Sequence, residues 1–449
     1  MSDNESVPAY VGSLHRHHDY LLHSDTNFIT ISLYMNTKHV IAAHHPKQAR
    51  RIMNIDHLIL LSNMTLGMKT ETYKRFLHPK LSPGARLIGI KGPRGAGKTT
   101  LVKQYIETSG YAATEVLYIT ADHPRVNAAR VFDIAESFEK IGGKLLVIDE
   151  IHKQSGFAAD LKACYDTFSL KVVFTGSSAL HIDHAKVDLS RRAVIHSLPC
   201  LSFREFVELE TGATFPSIDM KTLVQEHPGI SIDIVHRLKD YKILKLYRDY
   251  LTYGAYPFYR EGIGDYPIKL IEVVRQMIDS DLAVIYAIDK ENLHKLNRIM
   301  ELICRSPPME LKITKLASAA GINVRTLYAY LGYMETGSLI RRIDSKSLLN
   351  KPEKLYFDNP NLFSVLCDNP LEGMIRETFA AAMIGNAGYR LHYPSKGDFL
   401  VENRYLFEVG DKNKSFSQIA NIPESYILRD DEEYGVGNSI PIWLLGFLY

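Results

Sequence analysis

The sequence predicts an α/β protein whose first domain is a parallel sheet with a phosphate-binding loop at the end of one strand. Three observations predict it. Gly92-Pro93-Arg94-Gly95-Ala96-Gly97-Lys98-Thr99 fits the pattern G-x-x-x-x-G-K-[ST]. It sits between an apolar run, Arg86-Leu-Ile-Gly-Ile-Lys91, and a stretch with helical periodicity from Thr99 to Glu107. A second apolar run, Lys144-Leu-Leu-Val-Ile-Asp149-Glu150, ends in two adjacent carboxylates.

The glycines of the first motif let the backbone turn tightly and aim N–H groups at phosphate oxygens, and the following helix adds its positive end. Residues Gly92 to Thr100 are therefore the candidate cradle for ATP: Lys98 reaches the β- and γ-phosphates, Thr99 offers its hydroxyl to Mg²⁺, and Thr100 closes the first turn. In the second motif Asp149 supports Mg²⁺ and Glu150 polarises an attacking water, so Lys98 and Glu150 are candidate catalytic residues. Another strand-like run, Glu115 to Asp122, falls between the two motifs, and Lys171-Val-Val-Phe-Thr-Gly-Ser-Ser178 follows them. An inserted strand with Glu directly after the Asp is the layout of the additional-strand P-loop ATPases, which include the AAA+ proteins. Thr175, Ser177 and Ser178 are candidates for orienting the water.

At 449 residues the chain is expected to hold roughly two to four domains. A net charge of +2 gives no global argument for nucleic acid or membrane. Cys164, Cys200, Cys304 and Cys367 form no C-x-x-C pair, so neither a zinc site nor a disulfide framework is expected, in keeping with a cytoplasmic protein. No apolar run reaches membrane-spanning length. Residues 1–52 carry His15, His17, His18, His23, His39, His44 and His45 without apolar periodicity and read as an extension, with Met53 an alternative start. The ATPase core is expected over 53–215. The apolar end, Ile440 to Tyr449, reads as core around the only Trp.

The segment Asp188 to Phe206, with Ile148-Asp-Glu-Ile-His-Lys153 and Phe174-Thr-Gly-Ser-Ser178, resembles a family of prokaryotic AAA-type ATPases. Members have a C-terminal domain related to restriction-endonuclease folds. The likeness runs from about Lys74 to the C-terminus. Arg191 and Arg192 precede another strand, Ala193 to Leu198, and are the candidates for a guanidinium on the γ-phosphate, in cis or from a neighbouring copy.

Residues 216–303 read as a helical lid or linker, broken at Tyr250-Leu-Thr-Tyr-Gly-Ala-Tyr-Pro257. Over 304–358, a helix, the Gly321 turn, a helix capped by Asn323 and two strands around Lys346 and Lys351 predict a winged helix-turn-helix. Arg325, Thr326 and Tyr330 are its candidate DNA contacts. Over 359–449, Glu377, Asp398 and Glu408 resemble the carboxylates of a restriction-endonuclease-like α/β domain, with Gly410 where the lysine belongs. Lys412, the nearest candidate on the same strand face, starts about 13 Å from Glu408 at ~3.3 Å per residue, so a degenerate nuclease site that does not cut is expected.

The function expected is an Mg-ATP-driven conformational switch coupled to these two modules, with a homo-oligomer or protein partner and without a membrane. The alternatives are an ATP-gated nuclease effector and a regulator or scaffold that binds nucleotide without hydrolysing it.

Overall fold

Alternating apolar side chains build the first sheet from β1 Leu87–Lys91, β2 Val116–Thr120, β3 Leu145–Asp149, β4 Lys171–Gly176 and β5 Ala193–Ser197. The structure, a computed structural model, describes residues 55–81, 84–176, 189, 191–283, 286, 288–305, 313–345 and 354–449. The extension 1–52, Met53, Ser177, Ser178, Lys346 and Lys351 lie outside the described residues. The five strands are parallel and ordered β2-β3-β4-β1-β5. The strand between the two motif strands is therefore β4, which carries Thr175 to the same edge as the phosphate loop.

Both faces of β1 to β4 are buried, as a parallel sheet requires, while the edge strand β5 is partly exposed. Ile119, Leu146, Ile148 and Phe174 pack under Ile134, Phe138 and Leu161 of the helices Val131–Lys140 and Phe157–Thr167. Ile88, Ile90, Val147 and Val173 pack on the other side under Leu101, Val102 and Tyr105 of the helix Lys98–Thr108. The strand period of two thus sorts each run onto two faces.

Beyond β5, Ser202 opens the helix Phe203–Thr211 as a capping box with Glu205. Helices Met220–Leu238, Ile243–Asp249, Tyr266–Gln276, Lys290–Arg305, Ile313–Ala319 and Val324–Thr336 follow. An antiparallel ribbon, β6 Ile340–Ile343 with β7 Lys354–Phe357, leads to the last part of the chain. There the helix Glu372–Asn386 precedes β8 Leu391–His392, β9 Phe399–Val401, β10 Tyr405–Gly410, β11 Ser425–Arg429 and β12 Ser439–Pro441. This second sheet runs β12-β11-β10-β9-β8, antiparallel through β8, β9 and β10 and parallel from β10 to β12.

One hydrophobic cluster runs from Cys200 through the helices and the ribbon to Tyr449. The segments 216–303, 304–358 and 359–449 meet in it. Trp443 is fully buried against Phe203, as expected of the apolar end. Asn361 is the polar knot of this core: its side-chain oxygen accepts from Ala255 N at 2.8 Å and Tyr266 OH at 2.5 Å, and its amide donates to the carbonyls of Tyr250 at 2.7 Å and Leu251 at 2.9 Å. Those bonds hold the wide helical turn Tyr250–Gly254 just ahead of Pro257.

The expectation of unpaired cysteines is corrected. Cys304 and Cys367 form a disulfide across 63 residues of sequence, with Cα atoms 5.4 Å apart. Spacing along the chain carries no sign of it, because the fold alone brings the end of Lys290–Arg305 to the cap of the helix Asn361–Leu366. Cys164 and Cys200 are free and buried.

Candidate nucleotide-binding site

β1 ends at Lys91 and the chain turns at Gly92, where a Cβ would lie 2.1 Å from the carbonyl oxygen of Leu198. Gly95 and Gly97 take φ of 79° and 93°, which L side chains rarely adopt. The helix Lys98–Thr108 then starts with no side chain capping its N-terminus, so its N–H groups point into the loop. Lys98 is buried and its Nζ donates to the carbonyls of Gly92 at 3.0 Å and Pro93 at 2.9 Å. Burial pulls its ammonium below the usual lysine range, and the negative charges of Glu150 and Asp149 oppose that pull.

Thr99 Oγ1 donates to Asp149 Oδ2 at 2.6 Å, and Tyr118 OH donates to the same oxygen at 2.9 Å. Thr175 Oγ1 donates to Asp149 Oδ1 and accepts the Glu150 N–H at 3.1 Å. The two motifs and the end of β4 are thus joined at one carboxylate. Hydroxyl and carboxylate oxygens are the ligands Mg²⁺ prefers, and Thr99 with Asp149 fit it. Glu150 stands in the left-handed region at φ 55°, uncommon for a residue with a side chain and frequent at functional sites. Its carboxylate lies 3.3 Å from His152 Nδ1.

Over this loop lies a cavity of about 590 Å³, lined by Gly95, Lys98, Thr99, Thr100 and Glu150 of the core, by Tyr73 and Arg75, and by Pro257, Phe258 and Arg260 of the broken helical connector. A second cavity, of about 620 Å³, lies along the helix Met220–Leu238 beside Phe215 and Phe447, away from both motifs. We assign the nucleotide to the first, because the phosphate-binding groups are there. Phe258 closes on the loop so tightly that a Cβ at Gly95 would lie 2.9 Å from its ring. Arg94 donates to Gln276 Oε1 on the helix Tyr266–Gln276. Pro93 and Ala96 contribute backbone to the cradle; their carbonyls bind Lys98 and Arg75 respectively.

Arg75 is the residue the sequence did not announce. Its guanidinium is 6% exposed and donates to Ala96 O at 2.6 Å, Glu205 Oε1 at 2.8 Å, Pro199 O at 2.9 Å and Cys200 O at 3.2 Å. Glu205 accepts in addition from the N–H groups of Phe76 at 2.9 Å and Ser202 at 3.0 Å. Burial alone would push the Glu205 carboxyl up, but Arg75 and these donors hold it below the usual carboxylate range. The Ser202-Phe203-Arg204-Glu205-Phe206 string is thus the anchor that fixes the underside of the phosphate loop. In the sequence this string entered only as part of the segment Asp188 to Phe206 that carries the family resemblance.

Arg191 and Arg192 are corrected as in-cis ligands of the γ-phosphate. They enter β5 at Ala193, paired with Leu87, so they lie at the opposite sheet edge from the loop, about 16 Å away for five residues at ~3.3 Å each. Arg192 is held there by Asp166, with Nε at 2.8 Å and Nη2 at 2.9 Å from its two oxygens. Arg191 is exposed.

On the helix Val324–Thr336, Arg325 is exposed and the Thr326 N–H is capped by Asn323 at 2.8 Å. Tyr330 is corrected as a DNA contact. It is buried, because its position falls on the helix face that carries Leu327, Leu331 and Met334 into the core.

The carboxylates Glu377, Asp398 and Glu408 do converge. Lys354, 2% exposed on β7, brings its Nζ to 3.8 Å from Glu377 Oε2 and 3.5 Å from Asp398 Oδ1. Lys412 is corrected as the partner of Glu408. It is exposed, because β10 ends at Gly410 and strand alternation stops there. Lys414 folds back instead, its Nζ 2.6 Å from Glu408 Oε1, over a Gly410 whose Cβ would lie 2.3 Å from Lys414 Cβ. Burial pushes the Glu377 carboxyl above its usual range, and Asp398 pushes it further. Among the described residues no group of three His, Cys, Asp or Glu side chains is placed to hold a metal ion. The three carboxylates are instead ion-paired with Lys354 and Lys414.

Residues 84–207 match an AAA domain family, and residues 244–369 match a domain of unknown function (DUF8612). An uncharacterized protein of Methanocaldococcus jannaschii is similar over 401 residues at 25% identity, covering 81% of this chain and 84% of that protein. Among solved structures, the ADP complex of Hsp104 from S. cerevisiae aligns at 15% identity over 61% of this chain and 41% of its own length, with a TM-score of 0.28. AMPPCP-bound DnaA from Aquifex aeolicus aligns at 16% identity over 62% of this chain and 86% of its own, with a TM-score of 0.23. Likenesses this weak specify neither partner nor assembly. The matched AAA segment contains the phosphate loop and the Asp149-Glu150 pair, and the parallel sheet that carries them fits a P-loop nucleotide-binding core of AAA type. Among the described residues no helix is long and apolar enough to cross a membrane.

Proposed function

We propose that this protein is an Mg-ATP-dependent switch whose hydrolysis cycle moves the helical connector against the phosphate loop. The observation that carries the reading is the joint at Asp149, where Thr99, Tyr118 and Thr175 meet beside Glu150. On this reading Lys98 leaves the carbonyls of Gly92 and Pro93 for the β- and γ-phosphates, and Thr99 and Asp149 hold Mg²⁺, which neutralises charge on the transferring phosphoryl. Glu150, with its N–H fixed by Thr175 and its carboxylate beside His152, polarises the water. Pro257 and Phe258 flank the cavity, so nucleotide occupancy bears directly on the connector that Asn361 ties to the shared core.

The segment 313–357 acts on this reading as a winged helix whose DNA-facing residue is Arg325, while exposed Arg191 acts across an interface between copies. The cluster at Glu377 works as an ion-paired structural site. The experiment is calorimetry and phosphate release on Lys98→Ala and Glu150→Gln. We expect Lys98→Ala to lose ATP binding and Glu150→Gln to keep it while losing turnover. Unaltered turnover in Glu150→Gln removes the assignment.

A further inference from the structure

The cavity over the phosphate loop continues along the helix Lys98–Thr108, where Thr100 and Gln104 both line it. One turn apart, these two share a face of that helix. A rise of ~1.5 Å per residue puts Gln104 about 9 Å along the axis from Lys98. With phosphates held at Lys98 and Thr99, this remainder of the cavity takes ribose and base. Gln104 is 1% exposed, and its Nε2 donates to two backbone carbonyls, Glu71 O at 2.6 Å and Tyr73 O at 2.8 Å. Those two bonds fix the amide, because a flipped one would set its oxygen against both carbonyl oxygens. The segment they hold is tied from the connector as well, where Arg260 Nη1 donates to Glu71 Oε1 at 3.0 Å. Gln104 Oε1 has no hydrogen-bond partner. Buried acceptors are rarely left without a donor, because the loss of water goes uncompensated.

We propose that Gln104 selects adenine: its Oε1 accepts the exocyclic amino group of the base, and Leu201 and Leu209, which line the same cavity, supply apolar walls for the ring. The proposal rests on the ATPase reading above and names the base that this site takes. Adenine carries an amino donor where guanine carries a carbonyl oxygen, so guanine would set acceptor against acceptor. A polar group built for one donor rejects an analogue lacking it far more strongly than an apolar slot discriminates by size. The amide is oriented by Glu71 and Tyr73 before any nucleotide arrives, so little ordering is left to oppose binding.

The test is calorimetry of the full chain with Mg²⁺ and three diphosphates: ADP, GDP and purine riboside 5′-diphosphate, which lacks the amino group. Wild type should prefer ADP to the purine riboside by roughly tenfold, the effect of one buried hydrogen bond, and to GDP by more. Gln104→Met keeps most of the volume and removes both ends of the amide. Losing the donor to Glu71 and Tyr73 weakens all three nucleotides by a common factor, so the signature is a ratio. The preference for ADP over purine riboside diphosphate should fall to less than about twofold in the variant. A merely structural role leaves that ratio at its wild-type value, and this result overturns the proposal. Should Gln104→Met fail to fold, the wild-type ratios decide: ADP and purine riboside diphosphate within about threefold of each other, or a preference for GDP, overturns the proposal alone. A wild-type chain that binds none of the three overturns the ATPase reading instead.

Discussion

Replacing Arg75 by Met keeps most of the side-chain volume and removes the charge that neutralises Glu205. The Glu205 side chain is fully buried and its Oε1 receives Arg75 Nε at 2.8 Å, so the variant leaves a carboxylate in the core without its cation. Breaking a buried pair in this way costs about 3–5 kcal/mol. The carbonyls of Ala96, Pro199 and Cys200 also lose their donor. Against a total stability of about 5–15 kcal/mol this is a large fraction. The loss has a definite pH dependence. In wild type the depressed Glu205 carboxyl contributes stability that is fully present above its unfolded value, near ~4.3, and is lost as pH falls through the lower folded value. In Arg75→Met only burial and the backbone donors remain, the carboxyl rises, and protonation on acidification relieves the buried charge. The difference between the two proteins should therefore shrink from pH 7 toward pH 4.5. Urea unfolding at both values, with Arg75→Met/Glu205→Gln recovering part of the loss at pH 7, measures it. A difference below about 1 kcal/mol at pH 7, or one that ignores pH, refutes the assignment of the pair as the loop's anchor.

Asn361→Leu removes all four bonds that fix the turn Tyr250–Gly254; with about 1–3 kcal/mol for each buried group left unpaired, less what relaxation recovers, a loss of roughly 3–6 kcal/mol in chemical denaturation is expected, together with weaker nucleotide binding. At the C-terminal cluster, wild type should not nick plasmid DNA in Mg²⁺ or Mn²⁺, because among the described residues no three His, Cys, Asp or Glu side chains are placed to hold a metal ion and these carboxylates are ion-paired with Lys354 and Lys414. Lys354→Met should create Mn²⁺ binding detectable by calorimetry; nicking by wild type that disappears in Asp398→Ala would reverse this assignment.

The nucleotide site was legible because phosphate recognition constrains consecutive residues. Gly95, Gly97, Lys98 and Thr99 fall in one turn, and Asp149-Glu150 end one strand, so local spacing carries the geometry. The inserted run Glu115 to Asp122 contains a real strand, β2, but its place at the sheet edge and the insertion of β4 between the two motif strands were not readable from it. What depends on long-range closure was not legible. Arg75 meets Glu205 across 130 residues. Arg191 and Arg192 looked suitable by chemistry, yet the parallel register of β5 with β1 sends them to the wrong edge. Tyr330 looked like a polar helix residue, but its phenol body goes inward with Leu327. At Gly410 strand alternation pointed to Lys412, while the chain turned and a later lysine returned over the vacant side-chain position. The disulfide is of the same kind, with nothing local to mark it.

The continuous core from Cys200 to Tyr449 leaves no seam among its described residues along which that part could be cut. A fragment ending near residue 215 would carry the whole nucleotide motif set and still bare Phe203 and Phe206, whose neighbours Tyr250, Phe447 and Trp443 come from distant sequence. Isolated pieces would bury that surface by self-association, and activities measured on them would belong to aggregates. The same continuity limits how nucleotide can act. Large swings of one part of this core about another would tear open the shared interior, so on the proposed reading a hydrolysis cycle works through small slides of the helices that line the phosphate loop.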